Sequence, residues 1–578
     1  MPRDPTLAGV LARIQSQAAT PAQELSDAAA RIVAWHDPAL FLHQPATLEV
    51  PSSGLLAGVG VAIKDNIDVR GMPTTAGCPS FASTPSADAV AVAALRAAGA
   101  VPIGKTNLDQ FATGLVGTRS PAGVPRNPLV PERIPGGSSS GSACAVAAGL
   151  VPIALGTDTA GSGRVPAAFT NCVGLKPTKG LVSTRGVVPA VRSLDCVSVF
   201  ALTVHDAWQV LQLIAGFDAQ DHFSRPRPPT ARPIGRLRIG IASPAALGDD
   251  CDSLFLEGYR TAQAALAGLG HELISIDIEP FLAAARLLYD GPWVAERTAA
   301  VGAFLDTQPL DADPVVASII RAGGRHTAVE AYRGSYELAR LRRQSDAIFT
   351  TIDLLMLPTT PGHPTLAEVR ADPVAVNARL GRYTNFVNLL DTCALAVPAL
   401  LTAANRPAGI TLFAPAWQDT LLCRVGAGLQ QVLDLPLGAT GLRVSHRMEI
   451  DGDDDGIIVA VFGAHLRGQP LNRQLLALKG QFVGDCRTAP VYRCHLLEGA
   501  QRRPGLVRCA SGTAIAGELW KLPAAGFGAL VASVAPPLAI GTVALADGTS
   551  VKGFVCEEFP TVGTRDISSF GDWRAFLA

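Results

Sequence analysis

The sequence predicts an α/β protein with a smaller, β-rich second domain at its C-terminal end. Short apolar strands alternate with amphipathic helical stretches over residues 1–442, which is typical of α/β domains. The alternation then breaks at a cluster rich in Gly and Asp near residue 451. Several short strands separated by Gly and Pro turns follow this cluster, as in a compact domain that contains more sheet than helix.

Composition excludes several classes of protein. The chain has 578 residues, with 48 Lys and Arg against 49 Asp and Glu, for a formal net charge of -1. No positive surplus is available to hold a polyanion, so nucleic acid is not an expected partner. The hydrophobic fraction of 48% is enough for a large core and excludes intrinsic disorder for most of the chain.

The sequence also carries expectations about location and metals. The start, Met1-Pro2-Arg3-Asp4-Pro5, lacks the cationic and apolar segments of a secretory signal, so a cytoplasmic location is expected. The uncharged stretch Leu522–Ala546 is long enough to span a bilayer, but its prolines interrupt any helix, and no membrane association is expected. The 11 cysteines include no Cys-x-x-Cys pair, which argues against disulfides and zinc. We expect no metal and no cofactor.

The elements of the first domain follow from apolar spacing. An N-terminal helical segment is predicted over residues 1–35, where Leu7, Val10, Leu11 and Ile14 have helical spacing. The other predicted strands and helices of this domain are Val59–Ile63, Val101–Ile103, a helix at Ala143–Leu150, a strand at Val151–Leu155, helices at 255–270 and 325–350, and a strand at Ile352–Leu357.

A linker is predicted at 443–455, between a first domain at 1–442 and a second at 456–578. The linker ends in a run that continues into the second domain, Asp451-Gly452-Asp453-Asp454-Asp455-Gly456, and this run matches the first half of a calcium-binding loop. The twelfth position, where such a loop needs Glu, is Phe462, so the run is interpreted as a solvated turn. The strands predicted after it are 457–462, 481–483, 507–509, 538–544 and 551–556.

Two Gly/Ser loops are the strongest local signal. They are Pro135–Ser142 and Leu155–Pro166, and they flank the predicted helix and strand between them. Glycine allows successive N–H groups to converge on one point, so a serine at the end of such a loop can act as a nucleophile beside an oxyanion hole. Alone, such a loop is more often a linker or a phosphate cradle. The sequence around Ser139 also matches a G-x-S-x-G nucleophile elbow, but no strand directly precedes it, as that elbow requires.

Lys64 closes the predicted strand Val59–Ile63. A lysine at a strand end is usually solvated. No histidine lies near either Gly/Ser loop in the sequence, so the base for a serine nucleophile could be an amine whose pKa is lowered by desolvation. Lys64 is the best candidate for that base.

Together these motifs resemble the amidase signature family over about residues 20 to 435. They are Ile63-Lys64-Asp65-Asn66, the run from Gly136 to Ser142, and Gly156 to Ser162. The resemblance continues in Gly104-Lys105-Thr106-Asn107, Gly174-Leu175-Lys176-Pro177-Thr178 and Ser193-Leu194-Asp195. It implies a mixed central sheet covered by helices.

The family resemblance also implies roles for these residues. Ser162 would be the nucleophile, Ser138 a bridging serine with a cis peptide bond, and Lys64 the terminal base. The backbone N–H groups of Thr159, Ala160, Gly161 and Ser162 would form the oxyanion hole. A neutral lysine could then accept the Ser162 proton through Ser138 and return it to the leaving ammonia.

Further segments resemble the allophanate hydrolase group of that family. In the segment Tyr289–Arg297, the resemblance implies that Tyr289 and Arg297 bind a substrate carboxylate, and Pro292 is expected to begin a helix after Tyr289. Phe462–Leu466 and Pro470-Leu471-Asn472 resemble the C-terminal domain of that group, which is distantly similar to gamma-glutamyl cyclotransferases. There His465 is implied to assist decarboxylation; it could equally be structural.

Three departures from these patterns stand in the sequence. Phe527–Pro536 has no acidic residue where the catalytic Glu of a cyclotransferase would be sought. Gly60 replaces a common Pro, and Gly163 replaces a common Ile, the latter as in the allophanate hydrolase group. No catalytic side chain is affected.

The resemblance therefore implies hydrolysis of the terminal amide of allophanate to ammonia and N-carboxycarbamate, which then loses carbon dioxide. A biotin-dependent urea carboxylase would be the upstream supplier, cyanuric acid the other source, and a homodimer the implied assembly. One alternative is an amidase for another small amide, such as malonamate, biuret or a carbamoyl compound. A second is a non-enzymatic scaffold resembling the amidase chain of the transamidosome, although the intact Ser-Ser-Lys set and about 125 additional residues argue against it.

Overall fold

The computed structural model describes residues 3–51, 53–228, 235–249, 251–444, 450, 456–478, 480–497, 502–557 and 564–578. The chain forms two compact units, Met1–Ile450 and Asp451–Ala578. Most of the predicted linker 443–455, including the acidic run 451–455, lies outside the described residues. The domain bounds 1–442 and 456–578 stay a prediction.

The first unit is built on a mixed sheet that has eleven strands within the described residues. Their order across the sheet is β1-β3-β2-β4-β6-β5-β10-β11-β9-β7-β8. The strands are β1 (Phe41–His43), β2 (Gly60–Lys64), β3 (Val101–Thr106), β4 (Ile153–Asp158), β5 (Val173–Lys176), β6 (Cys196–Ala201), β7 (Arg238–Ile241), β8 (Glu272–Ser275), β9 (Leu354–Pro358), β10 (Thr392–Leu401) and β11 (Pro407–Pro415).

Helices cover this sheet. They are α1 (Leu7–Gln15), α2 (Pro21–Trp35), α3 (Val90–Ala97), α4 (Ser140–Ala147), α5 (Val165–Thr170), α6 (Val204–Ile214), α7 (Pro244–Leu247), α8 (Ser253–Gly268), α9 (Glu279–Asp290), α10 (Val294–Leu305), α11 (Pro314–Gly323), α12 (Ala328–Phe349), α13 (Leu366–Ala371), α14 (Ala375–Leu380), α15 (Phe386–Leu389) and α16 (Asp419–Leu433). The predicted α/β class with a mixed, helix-covered sheet is confirmed.

Strands β2 and β4 position the two Gly/Ser loops. The two strands pair in parallel, with Ile63 opposite Leu155, so their carboxyl ends reach the same edge of the sheet. Every residue of both strands is buried, because helices cover the sheet on each face. Lys64 is the last residue of β2, and the loop after β4 leads to α5. This edge therefore brings Lys64 and the second Gly/Ser loop together.

Helix α4 explains why the sequence is so rich in small residues near position 140. All eight of its residues are buried, and the largest is Val146. A Cβ atom added at Gly141 would lie 2.8 Å from the Asn107 backbone nitrogen and 2.8 Å from the Leu40 oxygen. Small side chains let this helix approach the neighbouring backbone closely, which fixes the first Gly/Ser loop at its N-terminus.

The second unit is strand-rich, as predicted. Within its described residues, one sheet has the order β13-β16-β12-β18-β17, and β14 pairs with β15. The elements are β12 (Gly456–Val461), α17 (Asn472–Ala477), β13 (Gln481–Arg487), β14 (Tyr492–Leu497), β15 (Arg503–Arg508), β16 (Ala516–Pro523), α18 (Ala524–Ser533), β17 (Leu538–Ala544), β18 (Ser550–Cys556) and α19 (Trp573–Leu577). The core of this unit includes Val459, Leu466, Trp520 and Leu530.

The prediction of a helix that begins at Pro292 was wrong by two residues. Helix α10 begins at Val294, and Tyr289 lies in the last turn of α9, which ends at Asp290. Buried apolar residues such as Leu288 hold α9 in place through Tyr289, and the chain then turns at Pro292, whose carbonyl accepts from the Ala295 amide at 2.9 Å. Among the described helices, none is both long and apolar enough to cross a bilayer.

Candidate active site

Three side chains meet at the carboxyl edge of β2 and β4 and form a continuous chain. Lys64 Nζ lies 2.8 Å from Ser138 Oγ, which in turn lies 2.8 Å from Ser162 Oγ. All three residues are buried, with Ser162 the most exposed at 2%. The peptide bond between Gly137 and Ser138 is cis. The structure thus brings together the predicted nucleophile, bridge and base.

Burial lowers the pKa of Lys64 to about 7, from an ordinary value of 10.5. The carboxylates of Asp109, Asp158 and Asp195 oppose this effect, whereas the charge of Arg297 adds to it. Desolvation therefore makes a neutral amine available at neutral pH, as the sequence argument required. A neutral amine can accept the proton that an ammonium group cannot.

Thr157 orients the amine. Lys64 Nζ donates a hydrogen bond to Thr157 Oγ1 at 2.8 Å, and Asn66 Nδ2 donates to the same oxygen at 3.3 Å. One N–H bond of the Lys64 amine points to Thr157. When Lys64 is neutral, the lone pair of its amine can therefore point towards Ser138. Sequence reasoning missed Thr157, although it belongs to the Gly156–Ser162 motif.

The loop from Thr159 to Ser162 is anchored at both ends. Arg164 donates to both oxygens of the Asp158 carboxylate, with Nε to Oδ2 at 2.8 Å and Nη2 to Oδ1 at 2.9 Å. Thr159 Oγ1 donates to Asp195, whose carboxylate also accepts from the Ala190 amide at 2.9 Å. Burial raises the pKa of Asp195.

These anchors leave the backbone of the loop open to a ligand. In the part of the chain that the structure describes, the amides of Thr159, Ala160, Gly161 and Ser162 donate to no other protein group. Buried amides without protein acceptors are suited to hold an oxyanion. This geometry is compatible with the predicted oxyanion hole, whose role stays a prediction.

Gly163 and Ser139 have structural reasons for their positions. A Cβ atom at Gly163 would lie 2.7 Å from Ser198 Cβ, so a larger residue would collide with β6. Ser139 donates to the Thr157 carbonyl at 3.1 Å and lies at the N-terminus of α4, outside the Lys64–Ser138–Ser162 chain. A Cβ atom at Gly60 would lie 3.0 Å from Ile103, a tight contact.

Arg297 is a buried cation held by hydroxyl groups. Its Nη1 donates to Thr113 Oγ1 at 2.8 Å and its Nη2 to Tyr289 Oη at 3.3 Å, while the guanidinium lies 5.4 Å from the Tyr289 ring centre. It is only 2% exposed, and no carboxylate among the described residues forms an ion pair with it. Burying a cation without a counter-ion is costly, so this arrangement is suited to an anionic ligand.

Backbone contacts fix Arg297 relative to the serine loops. The Ser193 amide donates to the carboxylate of the neighbouring Glu296 at 2.9 Å, which ties α10 to the Ser193–Asp195 motif. On the other side, Thr113 follows Phe111 and Ala112, whose φ angles of 49° and 50° are left-handed. Such conformations in non-glycine residues cluster at functional sites.

His465 lies in the second unit, beside a cavity of about 90 Å³. Its ring stacks on Phe554 at 4.8 Å between centres, and its Nε2 lies 2.9 Å from Gln474 Oε1. Burial lowers the pKa of His465. The wall of the cavity contributed by α18 is formed by Leu530 and Ser533, within the segment Phe527–Pro536 that lacks the catalytic Glu of a cyclotransferase.

The described residues contain no group of three or more His, Cys, Asp or Glu side chains arranged to hold a metal ion. None of the 11 cysteines forms a disulfide, and nine of them are buried. Burial raises the pKa of several of these thiols, Cys144 and Cys393 most strongly among them, so they are packed as small apolar groups.

The fold and the Ser-Ser-Lys chain are those of an amidase, and comparison with known proteins agrees. The family model "Amidase" matches residues 38–423, and the model "Allophanate hydrolase C-terminal domain" matches residues 457–578. The chain belongs to the amidase family and carries an allophanate hydrolase C-terminal domain.

Three known proteins illustrate the similarity. Urea amidolyase of Lachancea kluyveri is 43% identical over 542 residues, which are 90% of this chain and 30% of that protein. The solved structure of Kluyveromyces lactis allophanate hydrolase has a TM-score of 0.73 at 39% identity and covers 99% of this chain and 98% of that one. The structure of 6-aminohexanoate cyclic dimer hydrolase shares the fold of the first unit, with a TM-score of 0.67 at 24% identity over 74% of this chain and 97% of its own.

Proposed function

We propose that the chain hydrolyses allophanate to ammonia and carbon dioxide in two stages, one in each unit. The observation that carries the first stage is the combination of the Lys64–Ser138–Ser162 chain with the buried charge of Arg297, which forms an ion pair with no carboxylate of the described residues. Such a site can attack an amide while holding an anion. The similarity of the whole chain to an allophanate hydrolase supports the same substrate.

In the first stage, Ser162 Oγ attacks the carbonyl of the terminal amide. Its proton passes to Ser138 while Ser138 passes its own proton to neutral Lys64, and the developing oxyanion is held by the amides of residues 159–162. The relay then returns the proton to the departing nitrogen, ammonia leaves, and an acyl group remains on Ser162. Water repeats the sequence to release N-carboxycarbamate and regenerate the serine.

Arg297 and Tyr289 select the substrate in this proposal. The guanidinium already donates to two hydroxyl groups, and the charge it carries has no protein counter-ion among the described residues. The carboxylate of allophanate would supply that counter-ion through charge-assisted hydrogen bonds. Malonamate also carries a carboxylate, whereas biuret does not, so biuret should bind poorly.

In the second stage, N-carboxycarbamate loses carbon dioxide in the second unit with the assistance of His465. The cavity beside His465 supports this assignment, as does the match of this segment to the allophanate hydrolase C-terminal domain. The chain needs no cofactor for either stage. A cytoplasmic location, which would keep the 11 cysteines reduced, belongs to the same proposal.

The partners are part of the proposal as well. The chain spans about 30% of the length of the urea amidolyase that it matches. A biotin-dependent urea carboxylase, which would make allophanate from urea, is the proposed supplier, with cyanuric acid breakdown as the other source. A homodimer is proposed, for which the exposed side chains of Val329, Tyr332 and Tyr336 on α12 offer an apolar face. Sedimentation equilibrium would show the mass of the assembly.

The decisive experiment is to assay the purified chain alone for ammonia from allophanate, malonamate and biuret, with Ser162→Ala as the blank. We expect efficient turnover of allophanate and far slower turnover of the other two. A preference for malonamate or biuret would show that the preferred compound, and not allophanate, is the substrate. No turnover of any of them would favour the transamidosome-like alternative.

A further inference from the structure

The partners of His465 define a hydrogen-bond chain with a fixed direction. His465 Nε2 lies 2.9 Å from Gln474 Oε1, Gln474 Nε2 lies 2.9 Å from Ser533 Oγ, and Ser533 Oγ lies 2.7 Å from the Leu530 carbonyl oxygen. These groups belong to three separate segments: the turn after β12, helix α17, and the last two turns of α18. All but the carbonyl are side chains that line the same cavity.

The Leu530 carbonyl at the end of this hydrogen-bond chain determines which group donates each of its hydrogen bonds. A carbonyl oxygen can only accept, so the single hydroxyl proton of Ser533 points to Leu530. Ser533 Oγ must therefore accept from Gln474, which places the amide NH₂ group of Gln474 towards Ser533 and its oxygen towards His465. Because that oxygen can only accept, His465 Nε2 must carry a proton.

We infer that Gln474 and Ser533 are positioning residues that hold neutral His465 with its proton on Nε2, so that Nδ1 meets the ligand as a proton acceptor. This inference rests on the proposed decarboxylation in the second unit. In the described part of the chain, no protein group hydrogen-bonds Nδ1. Stacking on Phe554 fixes the plane of the ring, so the Gln474 contact decides which nitrogen is bare.

A bare Nδ1 gives the second stage a definite proton route. The singly protonated intermediate has a carbamic acid group, a central N–H and a second carboxylate. Nδ1 accepts the carbamic acid proton and delivers it to the central nitrogen as the C–N bond breaks. Carbon dioxide leaves, the bonding electrons stay on nitrogen, and carbamate remains, so no net proton is consumed. Arg503, the cation among the described residues that line the cavity, is placed to hold the other carboxylate.

The tautomer can be observed without any turnover. In full-length protein labelled with ¹⁵N-histidine, a protonated ring nitrogen and a bare one resonate at well-separated positions, and His465→Ala identifies the signals. We expect Nε2 protonated in the wild type and in Gln474→Glu, since the carboxylate still accepts. Gln474→Lys offers a donor instead, so we expect its proton on Nδ1. Wild-type His465 with its proton on Nδ1 would overturn the inference.

Turnover of the intermediate supplies the second readout. Gln474→Lys should lengthen the lifetime of N-carboxycarbamate as much as His465→Ala does, by about 100-fold if proton transfer at this site has its usual worth. Gln474→Glu should stay within a few-fold of wild type, and release of the first ammonia should be unchanged in all variants. Arg473→Gln, on the exposed side of the same helix, is the matched control and should change neither signal.

The two readouts separate the possible failures. In one outcome, Gln474→Lys carries its histidine proton on Nδ1 but N-carboxycarbamate has the same lifetime as in the wild type. This result would show that Nδ1 is not the proton acceptor and would overturn the inference. If the tautomers are as expected but His465→Ala leaves the lifetime unchanged, the decarboxylation role of the second unit fails instead. Local unfolding of the Gln474→Lys variant would be recognised by the loss of both ring resonances, and Gln474→Glu would still test the tautomer.

Discussion

The two units place the groups that we propose to transfer protons, Lys64 and His465, in opposite surroundings. Lys64 is completely buried in the first unit, among the carboxylates of Asp109, Asp158 and Asp195. His465 is only partly buried in the second unit, and its hydrogen-bond partner is a neutral amide beside a cavity. An amine needs a large change of pKa to become a base at neutral pH, whereas an imidazole needs almost none.

This difference shows what each site requires from its fold. The first site depends on the exclusion of water, because desolvation is the largest cause of the lowered pKa of Lys64. In our proposal the second site depends on the direction of its hydrogen bonds, because a histidine ring that is already neutral needs only the correct nitrogen left without a proton. Substitutions that expose buried groups to water should therefore reduce the activity of the first site most. Substitutions that reverse a hydrogen bond should reduce the activity of the second site most.

The largest effect is expected from removing the relay in the first unit. Lys64→Ala should lose nearly all turnover while remaining folded, and Lys64→Arg should fail as well because guanidinium stays protonated near neutral pH. Ser162→Ala should be equally severe. The measurement is ammonia release at saturating allophanate, together with circular dichroism to show that the fold is retained.

Ser139→Ala is the control for that experiment, because Ser139 contacts the Thr157 carbonyl and not the relay. It should retain substantial activity. If Ser139→Ala were inactive and Ser162→Ala active, the G-x-S-x-G interpretation would be correct instead. Wild-type turnover by either Lys64 variant would contradict the assignment of Lys64 as the base.

The second prediction concerns pH in the first unit. Lys64 must be neutral to accept a proton, and its pKa is lowered to about 7, so protonation switches it off below that value. The kcat/KM for ammonia release should fall about tenfold per pH unit below pH 7 and level off above it. A free amine at its ordinary value of 10.5 would instead give a profile that still rises at pH 9. That result would show that desolvation does not tune Lys64.

The third prediction concerns the buried cation of the first unit. Arg297→Ala should reduce kcat/KM for allophanate by about 100-fold, or about 3 kcal/mol, the scale of a charge-assisted hydrogen bond to a buried ion. Turnover of an uncharged amide such as biuret should fall much less. Thr113→Val removes one of the hydroxyl partners of Arg297 but keeps the charge, so its effect should be intermediate. Equal losses on both substrates would assign Arg297 to the fold.

Much of the first unit was predictable from sequence because its motifs are local. Lys64, Ser138 and Ser162 each lie in a short Gly- or Asp-containing motif, and the parallel strands β2 and β4 bring Lys64 and the loop of Ser162 to one edge of the sheet. Ser138 lies in the loop before α4. Thr157 and Thr113 were not predictable. Their positions beside Lys64 and Arg297 arise from side-chain contacts between segments that are distant in sequence. A threonine in a buried strand, like Thr157, or in a loop, like Thr113, is ordinary in a sequence.

Packing accounts for what the sequence could not predict in either unit. In the first, the helical start at Pro292 was misplaced because the chain makes a turn at Pro292 and Trp293 between the end of α9 and the start of α10. In the second, the orientation of His465 depends on Gln474 and Ser533, which belong to different helices and carry no motif of their own. The sequence could therefore name the histidine but not the position of its proton.

The last prediction concerns changes that should leave release of the first ammonia almost unaltered. These changes test whether the two stages belong to different units. A chain ending near Gly441 retains every element of the Lys64–Ser138–Ser162 relay, so if it folds it should still release the first ammonia from allophanate. Full-length His465→Ala should do the same, because the Gln474 side chain that its ring contacts belongs to the second unit. In both, N-carboxycarbamate should accumulate, since proton transfer during decarboxylation is lost. Rapid mixing with ammonia detection and carbon NMR would follow both products. An intermediate lifetime identical in wild type, His465→Ala and the truncated chain would make the second unit structural.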